Sequence, residues 1–436
     1  MRQKLTGREI HHEPHKLSSG VFRSSFRLLG PGFVAGASDD DPSGIGTYAV
    51  AGASFGYATL WTALFTFPLM SAVQFMCAKI AMVTGEGLAG VLKRHYRSWV
   101  LYPAVFVLVI ANTVNAGADI GAIAAAINLL FPISPGRLIV PISLMIVAIQ
   151  VWGSYRFISN AFKWLAFTLI AYIGAAFLSH PDMREVLRAT FVPQFTMNSE
   201  FLSLVVALFG TTISPYLFFW QANQEIEEEI AHGKHSLAQR KGASKRELRY
   251  AAWDVNIGMF FSNMIMYFII LATGATLFTA GKTKVESAAE AARALQPLAG
   301  GFASTLFAVG LIGAGVLAVP VLTGAGAYAV SEAFHWRRGL DKNAARASRF
   351  YILIAVSTGI GMLINFTEIN TIKALVWSAV LNGFLAPPLL VLIMMISNNR
   401  SIMGNRVNGH LVNGLGWSAV IIMSVAAVAL VFSWSR

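Results

Sequence analysis

Ala37-Ser38-Asp39-Asp40-Asp41-Pro42-Ser43-Gly44 interrupts the first apolar segment of a 436-residue chain. Three adjacent carboxylates followed by Pro-Ser-Gly do not continue a regular membrane helix. A carboxylate at mid-bilayer costs roughly 2.5–3.5 kcal/mol on insertion scales, so its presence there points to an ion, a proton or a substrate. Working outward, 56% of the residues are hydrophobic and only 12% are charged, against about 25% charged in soluble domains. Sparse charge between long apolar runs is the pattern of a polytopic helical membrane protein. The formal net charge is +12, but the basic residues alternate with apolar spans instead of forming one patch, so a nucleic-acid partner is not expected. Cys77 is the sole cysteine, which excludes an internal disulfide and a cysteine metal cluster.

Apolar spans are expected at about 28–55, 57–82, 99–130, 137–153, 157–178, 200–224, 253–280, 300–330, 349–364, 371–396 and 413–434, each compatible with the roughly 20 residues a membrane helix needs. A polar, basic tail over 1–27 precedes them and has no apolar core with a cleavage site, so no signal peptide is expected. Its His11, His12 and His15 fit a solvated tail beside lipid headgroups better than a metal site. Segments on the N-terminal side of the spans carry 24 Lys and Arg and those on the other side 8, Lys163 lying within a span. This bias predicts a cytoplasmic N-terminus and, with an odd number of spans, an extracytoplasmic C-terminus in a multi-pass cell-membrane protein. The basic loops set topology and touch anionic lipid. Glu225, Glu227, Glu228 and Glu229 follow the sixth span and are expected at a solvated helix end paired with the next basic loop, the alternative being a cation-gathering exit.

The sixth span holds a second interruption, Phe209-Gly210-Thr211-Thr212-Ile213-Ser214-Pro215-Tyr216. Proline has no N–H and clashes with the carbonyl four residues earlier. Pro42 therefore frees the Ser38 carbonyl, and Pro215 frees that of Thr211. Paired interruptions in corresponding spans of two halves point to a transporter site at an inverted-repeat interface, and irregular backbone at this depth is tolerated only inside protein or beside water. Two ordinary proline kinks would look similar, although a kink alone does not call for Asp41. The donors at the breaks are oxygens: the Asp41 carboxylate, the Thr211 and Ser214 hydroxyls and the two freed carbonyls. Asn382, in Ser378-Ala379-Val380-Leu381-Asn382-Gly383, and Asn115 with Asp119 in the third span are candidates to join them. Asn382 is equally suited to a hydrogen bond between helices. Oxygen-only sets suit hard cations such as Mg2+, Ca2+ and Mn2+. No nucleophile–base pair or cofactor loop appears, so an enzyme is not expected.

Gly30-Pro31-Gly32-Phe33 followed by Asp41-Pro42-Ser43-Gly44 resembles the first span of the NRAMP divalent-metal transporters, Gly-Pro-Gly-Phe then Asp-Pro-Gly-Asn. Gly210-Thr211-Thr212-Ile213-Ser214-Pro215-Tyr216 is similar to that family's sixth span, Gly-Ala-Thr-Val-Met-Pro-His. The resemblance implies an all-α LeuT-like fold of about 11 transmembrane helices. In it 28–434 is one transporter domain, with 28–178 and 200–396 as inverted repeats, broken helices 1 and 6, and 413–434 as an extra helix. It implies alternating access, no cofactor, and a metal site at Asp41, Gly44, Thr211 and Ser214, to which the residues themselves add the Ser38 carbonyl and Asn382. The family's asparagine ligand falls on Gly44 and its methionine ligand on Ser214. Its sixth-span histidines fall on Tyr216 and Gln221, its third-span aspartate on Ala116 and its third-span glutamate on Asp119. Asp39, Asp40, Asn115, Asp119, Tyr216 and Gln221 are thus candidates for ion entry or a proton path, with Asp39 and Asp40 facing the site or lying at its mouth. Loss of the thioether removes a preference for soft metals. The pattern looks like the NRAMP-related magnesium transporters, which implies transport of Mg2+, and also Mn2+, with weak or no proton coupling. A proton-coupled Mn2+/Fe2+ symporter and a non-transporting membrane sensor of the same fold are the alternatives.

Overall fold

The computed structural model describes residues 30–152, 171–196, 198–340, 344–367 and 369–434. The tail histidines, Arg156, Lys163 and most of the fifth expected span lie outside them. The described residues are helical, with no strand. The principal helices are α1 (Pro31–Asp39), α2 (Pro42–Phe55), α3 (Leu60–Thr84), α4 (Ser98–Leu130), α5 (Pro135–Trp152), α6 (Ser199–Thr212), α7 (Pro215–Ala231), α8 (Lys245–Thr273), α9 (Ala303–Ala333), α10 (Ser348–Ile364), α11 (Thr371–Asn398) and α12 (His410–Trp434). Among the described residues, eight helical stretches are long and apolar enough to cross a membrane, and α10 is a shorter apolar helix. The α1–α2 pair is not among the eight, because Asp39, Asp40 and Asp41 stand at its break, whereas the Ser199–Ala231 stretch, equally interrupted but without charge at its break, qualifies.

Both expected breaks are present, and the same chemistry makes them. Pro42 and Pro215 each stand at the first turn of the resumed helix, where a missing N–H costs nothing and a fixed φ is already helical. Asp41 is the N-cap of α2, its Oδ1 accepting from Gly44 N at 2.6 Å. Such caps are worth about 0.5–2 kcal/mol. Ser214 caps α7 by position but makes no side-chain cap bond.

Two element ends differ from expectation. α7 runs on to Ala231, since Gln221 to Glu229 contains good helix formers and no breaker before Gly233. Glu225 is consequently buried at 6% exposure, which corrects the expected solvated end. The pairing with the next basic loop holds at Glu229, 3.3 Å from Lys234. α8 begins at Lys245 because Ser244 and Glu247 form a reciprocal capping box.

α8 backs the broken first span along its length. The N-terminus of α1 has no cap of its own; instead Asp254 of α8 accepts from Gly30 N at 2.8 Å and Gly32 N at 2.6 Å. One turn on, α1 and α8 touch backbone to backbone: a Cβ on Gly36 would lie 2.3 Å from the Gly258 carbonyl. Small residues allow such approach between membrane helices. α6 is held against α11 in the same way, since a Cβ on Gly210 would meet Ala379 O at 2.2 Å. On the other side α4 and α9 run together, joined where Asn112 Nδ2 donates to Leu322 O at 2.8 Å.

Gly36→Ala is expected to destabilise the purified protein by about 1–3 kcal/mol through overpacking, read as a lower thermal unfolding midpoint in detergent. Gly359→Ala, with nothing within 4 Å of the added carbon, is the control and should leave the midpoint unchanged. Equal midpoints for the two variants would contradict the α1–α8 contact.

Candidate functional site

The two breaks meet. Tyr216, the second residue of α7, donates its hydroxyl to the Ser38 carbonyl at 3.0 Å. The carbonyl that Pro42 leaves unmet on α1 is thus met from the other broken span. The Thr211 carbonyl, left unmet by Pro215, accepts from Ser214 Oγ at 2.5 Å, and the same oxygen lies 3.0 Å from Gly210 O. Both freed carbonyls therefore have a hydroxyl partner. Tyr216, a candidate for a proton path, serves as a cap on the α1 carbonyl.

Gly44 lies where the two breaks close on each other. A Cβ built on it would point at Thr211 Oγ1 (3.0 Å), Asp41 Oδ1 (3.2 Å) and the Tyr48 hydroxyl (3.2 Å). Asp41, Thr211 and Tyr48 thus converge on the face of α2 where Gly44 supplies no side chain. All are buried. Asp41 is held from two sides: Oδ1 by Gly44 N and Oδ2 by Asn115 Nδ2 at 3.0 Å. Asn115 Oδ1 in turn accepts from Ser378 Oγ of α11 at 2.9 Å, and that hydroxyl lies 3.3 Å from Ser43 Oγ. Asp119, one turn beyond Asn115 on α4, accepts from Ser43 N at 3.2 Å through Oδ1, and its Oδ2 is buried without a partner. The α11 member of this network is Ser378. Asn382, one turn further along, is buried with its Oδ1 unpartnered and makes no hydrogen bond to Asp41.

Asp39 and Asp40 are not at an exposed mouth: they are 0% and 1% exposed. They face α8, where Ser262 Oγ lies 2.7 Å from Asp39 Oδ2 and 3.3 Å from Asp40 Oδ1. Gln221 stands apart from Asp41 in the hydrogen-bond network and donates through Nε2 to Glu225 Oε1 at 2.9 Å. Glu225 opens onto a cavity of about 500 Å3 at the N-terminal end of α1, lined also by Gly30, Pro31, Glu229, Glu247 and Asp254. Five carboxylates line it, with His232, Lys234 and Arg246 as the basic members.

Four residues of the site and its network escaped the sequence reading, Tyr48 among them, one turn beyond Gly44. Ser378 lies four before Asn382, on the same helical face, so the pattern around Asn382 contained it. Ser43 sits inside the motif but looks like spacer. Ser262 carries no signal in its own neighbourhood; only packing of α8 on α1 brings it in. The chemistry assembled is all oxygen and amide, with one carboxylate, Asp41, held at the convergence of both breaks.

The family model described as natural resistance-associated macrophage protein-like (Nramp) matches residues 32–433. The divalent metal cation transporter MntH of Klebsiella pneumoniae is 29% identical over 406 residues, covering 91% of each chain. Among solved structures, the Eremococcus coleocola manganese transporter in complex with an aromatic bis-isothiourea substituted compound superposes with a TM-score of 0.71 at 20% identity, over 97% of this chain and 89% of the other. MhsT in complex with L-phenylalanine superposes with a TM-score of 0.61 at 14% identity, over 92% and 98%. These two likenesses are of fold.

Proposed function

Since the chain belongs to the Nramp family, whose members are transporters and not enzymes, we propose that it carries divalent metal cations across the membrane, with Mg2+ as the preferred cargo and Mn2+ also carried. Divalent metal transport has support from the family match and from the Klebsiella relative, a divalent metal cation transporter. Manganese has support from the Eremococcus protein of like fold, a manganese transporter. The preference for Mg2+ is our reading of the site.

The observation that carries it is the convergence of hard oxygens on Gly44. Around it stand the Asp41 carboxylate, the Thr211 hydroxyl and the Tyr48 hydroxyl, with Ser214 at the N-cap of α7. The donors are hard oxygens, without sulfur or imidazole. Mg2+ dehydrates reluctantly and meets protein through one or two carboxylates while keeping several waters. A site with one held carboxylate, hydroxyls and a missing side chain suits such an ion. Asp41 is the principal ligand in this reading, with Thr211 and Ser214 beside it. The Ser38 carbonyl, engaged by Tyr216, becomes available when that hydroxyl turns away. Asn382, with an unpartnered oxygen, and Ser378, through Asn115, contribute from α11. An eleven-span inverted-repeat arrangement, a cytoplasmic N-terminus and alternating access belong to the same proposal. The proton-coupled Mn2+/Fe2+ reading draws on Asp119, whose Oδ2 has no partner, but Tyr216 and Gln221 are engaged elsewhere and extend no relay from it.

Asp41→Ala is expected to abolish Mg2+ uptake into proteoliposomes loaded with a magnesium-sensitive dye; full uptake by this variant would remove the assignment. The double variant Gly44→Asn/Ser214→Met restores the amide and thioether that the family carries at those positions. Its Mg2+ uptake relative to Mn2+ uptake should fall by about tenfold, equivalent to ~1.4 kcal/mol of discrimination. An unchanged ratio would show that selectivity does not reside at these two positions.

A further inference from the structure

α8 has two working faces. One is buried against the broken first span, through Asp254, Val255 and Gly258. The other carries Arg249, Trp253, Asn256, Ile257 and Phe260, whose spacing places them in one stripe of a helix. Together with Phe67 of α3 they line a groove of about 490 Å3, within the range of about 300–1,000 Å3 typical of ligand sites. Trp253, Ile257 and Phe260 are 66%, 46% and 58% exposed. Phe260 meets Phe67 edge to face, with ring centroids 5.7 Å apart.

The stripe is graded in polarity. Arg249 stands toward the Lys245 end of α8, Trp253 one turn further in, and Ile257 and Phe260 beyond it. Asn256 interrupts the apolar face only partly, since its Nδ2 donates to Ala252 O at 2.6 Å. At 1.5 Å per residue, Arg249 to Phe260 covers about 16 Å, close to one leaflet of a hydrocarbon core roughly 30 Å thick. Tryptophan one turn inside the charged end is where a membrane interface favours it. Lys245 lies one turn before Arg249 on the same side of the helix. Both are exposed, and among the described residues no carboxylate pairs with either. α8 belongs to a stretch long and apolar enough to cross a membrane, so lipid is what bathes this face.

We propose that the groove between α3 and α8 is a binding site for one anionic phospholipid. Its phosphate sits on Arg249 with Lys245 above, and one acyl chain lies along Trp253, Ile257 and Phe260 against Phe67. Two unpaired cations at the head of an apolar furrow one leaflet deep match the charge and the length of such a lipid, and a basic side chain at this depth attracts anionic lipid by about 1 kcal/mol. A lipid seated there braces the outer face of the helix whose inner face holds α1. The proposal does not depend on which ion is carried.

The test titrates the full-length protein in detergent with dioleoylphosphatidylglycerol, adducts being counted by native mass spectrometry. Wild type is expected to take up one molecule per chain more tightly than any further ones, and more tightly than dioleoylphosphatidylcholine. Arg249→Ala should weaken that first adduct about fivefold, the share of one basic residue, and Trp253→Ala should weaken it through the acyl chain. Arg400→Ala, which removes an exposed arginine that does not line the groove, should leave it unchanged. Equal affinity in wild type and Arg249→Ala overturns the site, as does phosphatidylcholine binding as tightly as phosphatidylglycerol or an equal loss in Arg400→Ala. A dimer that Trp253→Ala dissolves would give the groove to a second copy of the chain and overturn it too. Should Arg249→Ala not fold, Trp253→Ala decides: a weakened first adduct supports the site and an unchanged one overturns it.

Discussion

Two peptide carbonyls inside an apolar bundle, those of Ser38 and Thr211, have no backbone N–H to meet them, because prolines stand at positions 42 and 215. An unmet carbonyl in such surroundings costs on the order of 1–3 kcal/mol, so each must find a hydroxyl, water or cation. Here Tyr216 reaches one and Ser214 the other. Most of the local architecture follows. Tyr216 can cap Ser38 only if the two breaks lie side by side. They lie side by side only if α1 and α6 approach their neighbours at backbone distance, which Gly36 against Gly258 and Gly210 against α11 permit.

Charge is the second constraint. Asp39, Asp40, Asp41 and Asp119 are buried, and no described basic residue pairs with any of them. What holds them is neutral: the Gly44 and Ser43 amides, the Asn115 amide and the Ser262 hydroxyl. Neutral donors orient carboxylates without cancelling their charge; in the function proposed above, the cation cargo does the cancelling at Asp41. A lysine in the same place would stabilise the fold and occupy the site permanently. The contrast with Glu332 is instructive: that buried carboxylate caps Gly87 and Gly90 and also pairs with Arg338 at 3.0 Å, the arrangement of a structural acid.

Much of this was legible in the sequence. Asp-Pro and Ser-Pro inside apolar segments announce a cap followed by the first turn of a new helix, so both breaks and the carbonyls they free could be read from residues 38–44 and 211–216. Asn115 proved a neighbour of Asp41. What the sequence hid were facts of rotation and packing. Once a helix unwinds, side-chain direction no longer follows a 3.6-residue period, so nothing local says that Asp39 and Asp40 turn to α8 while Asp41 turns to α4. Ser262 and Asp254 enter the story only through the close approach of α1 and α8. Asn382 drew attention by residue type, yet its neighbour one turn earlier, Ser378, makes the hydrogen bond. Glu225 was read as solvated because its neighbours are acidic; the helix simply continues, and its face is covered.

The central claim is that an all-oxygen site with no side chain at Gly44 selects a hard, partly hydrated ion and moves it without a proton. The most direct test is a competition series in wild-type proteoliposomes, with Mg2+, Mn2+, Ca2+ and Fe2+ set against Mn2+ influx while a lumenal dye follows pH. The account predicts that Mg2+ competes and that internal pH stays constant as metal enters. Failure of Mg2+ to compete, together with acidification that tracks metal entry, would contradict it.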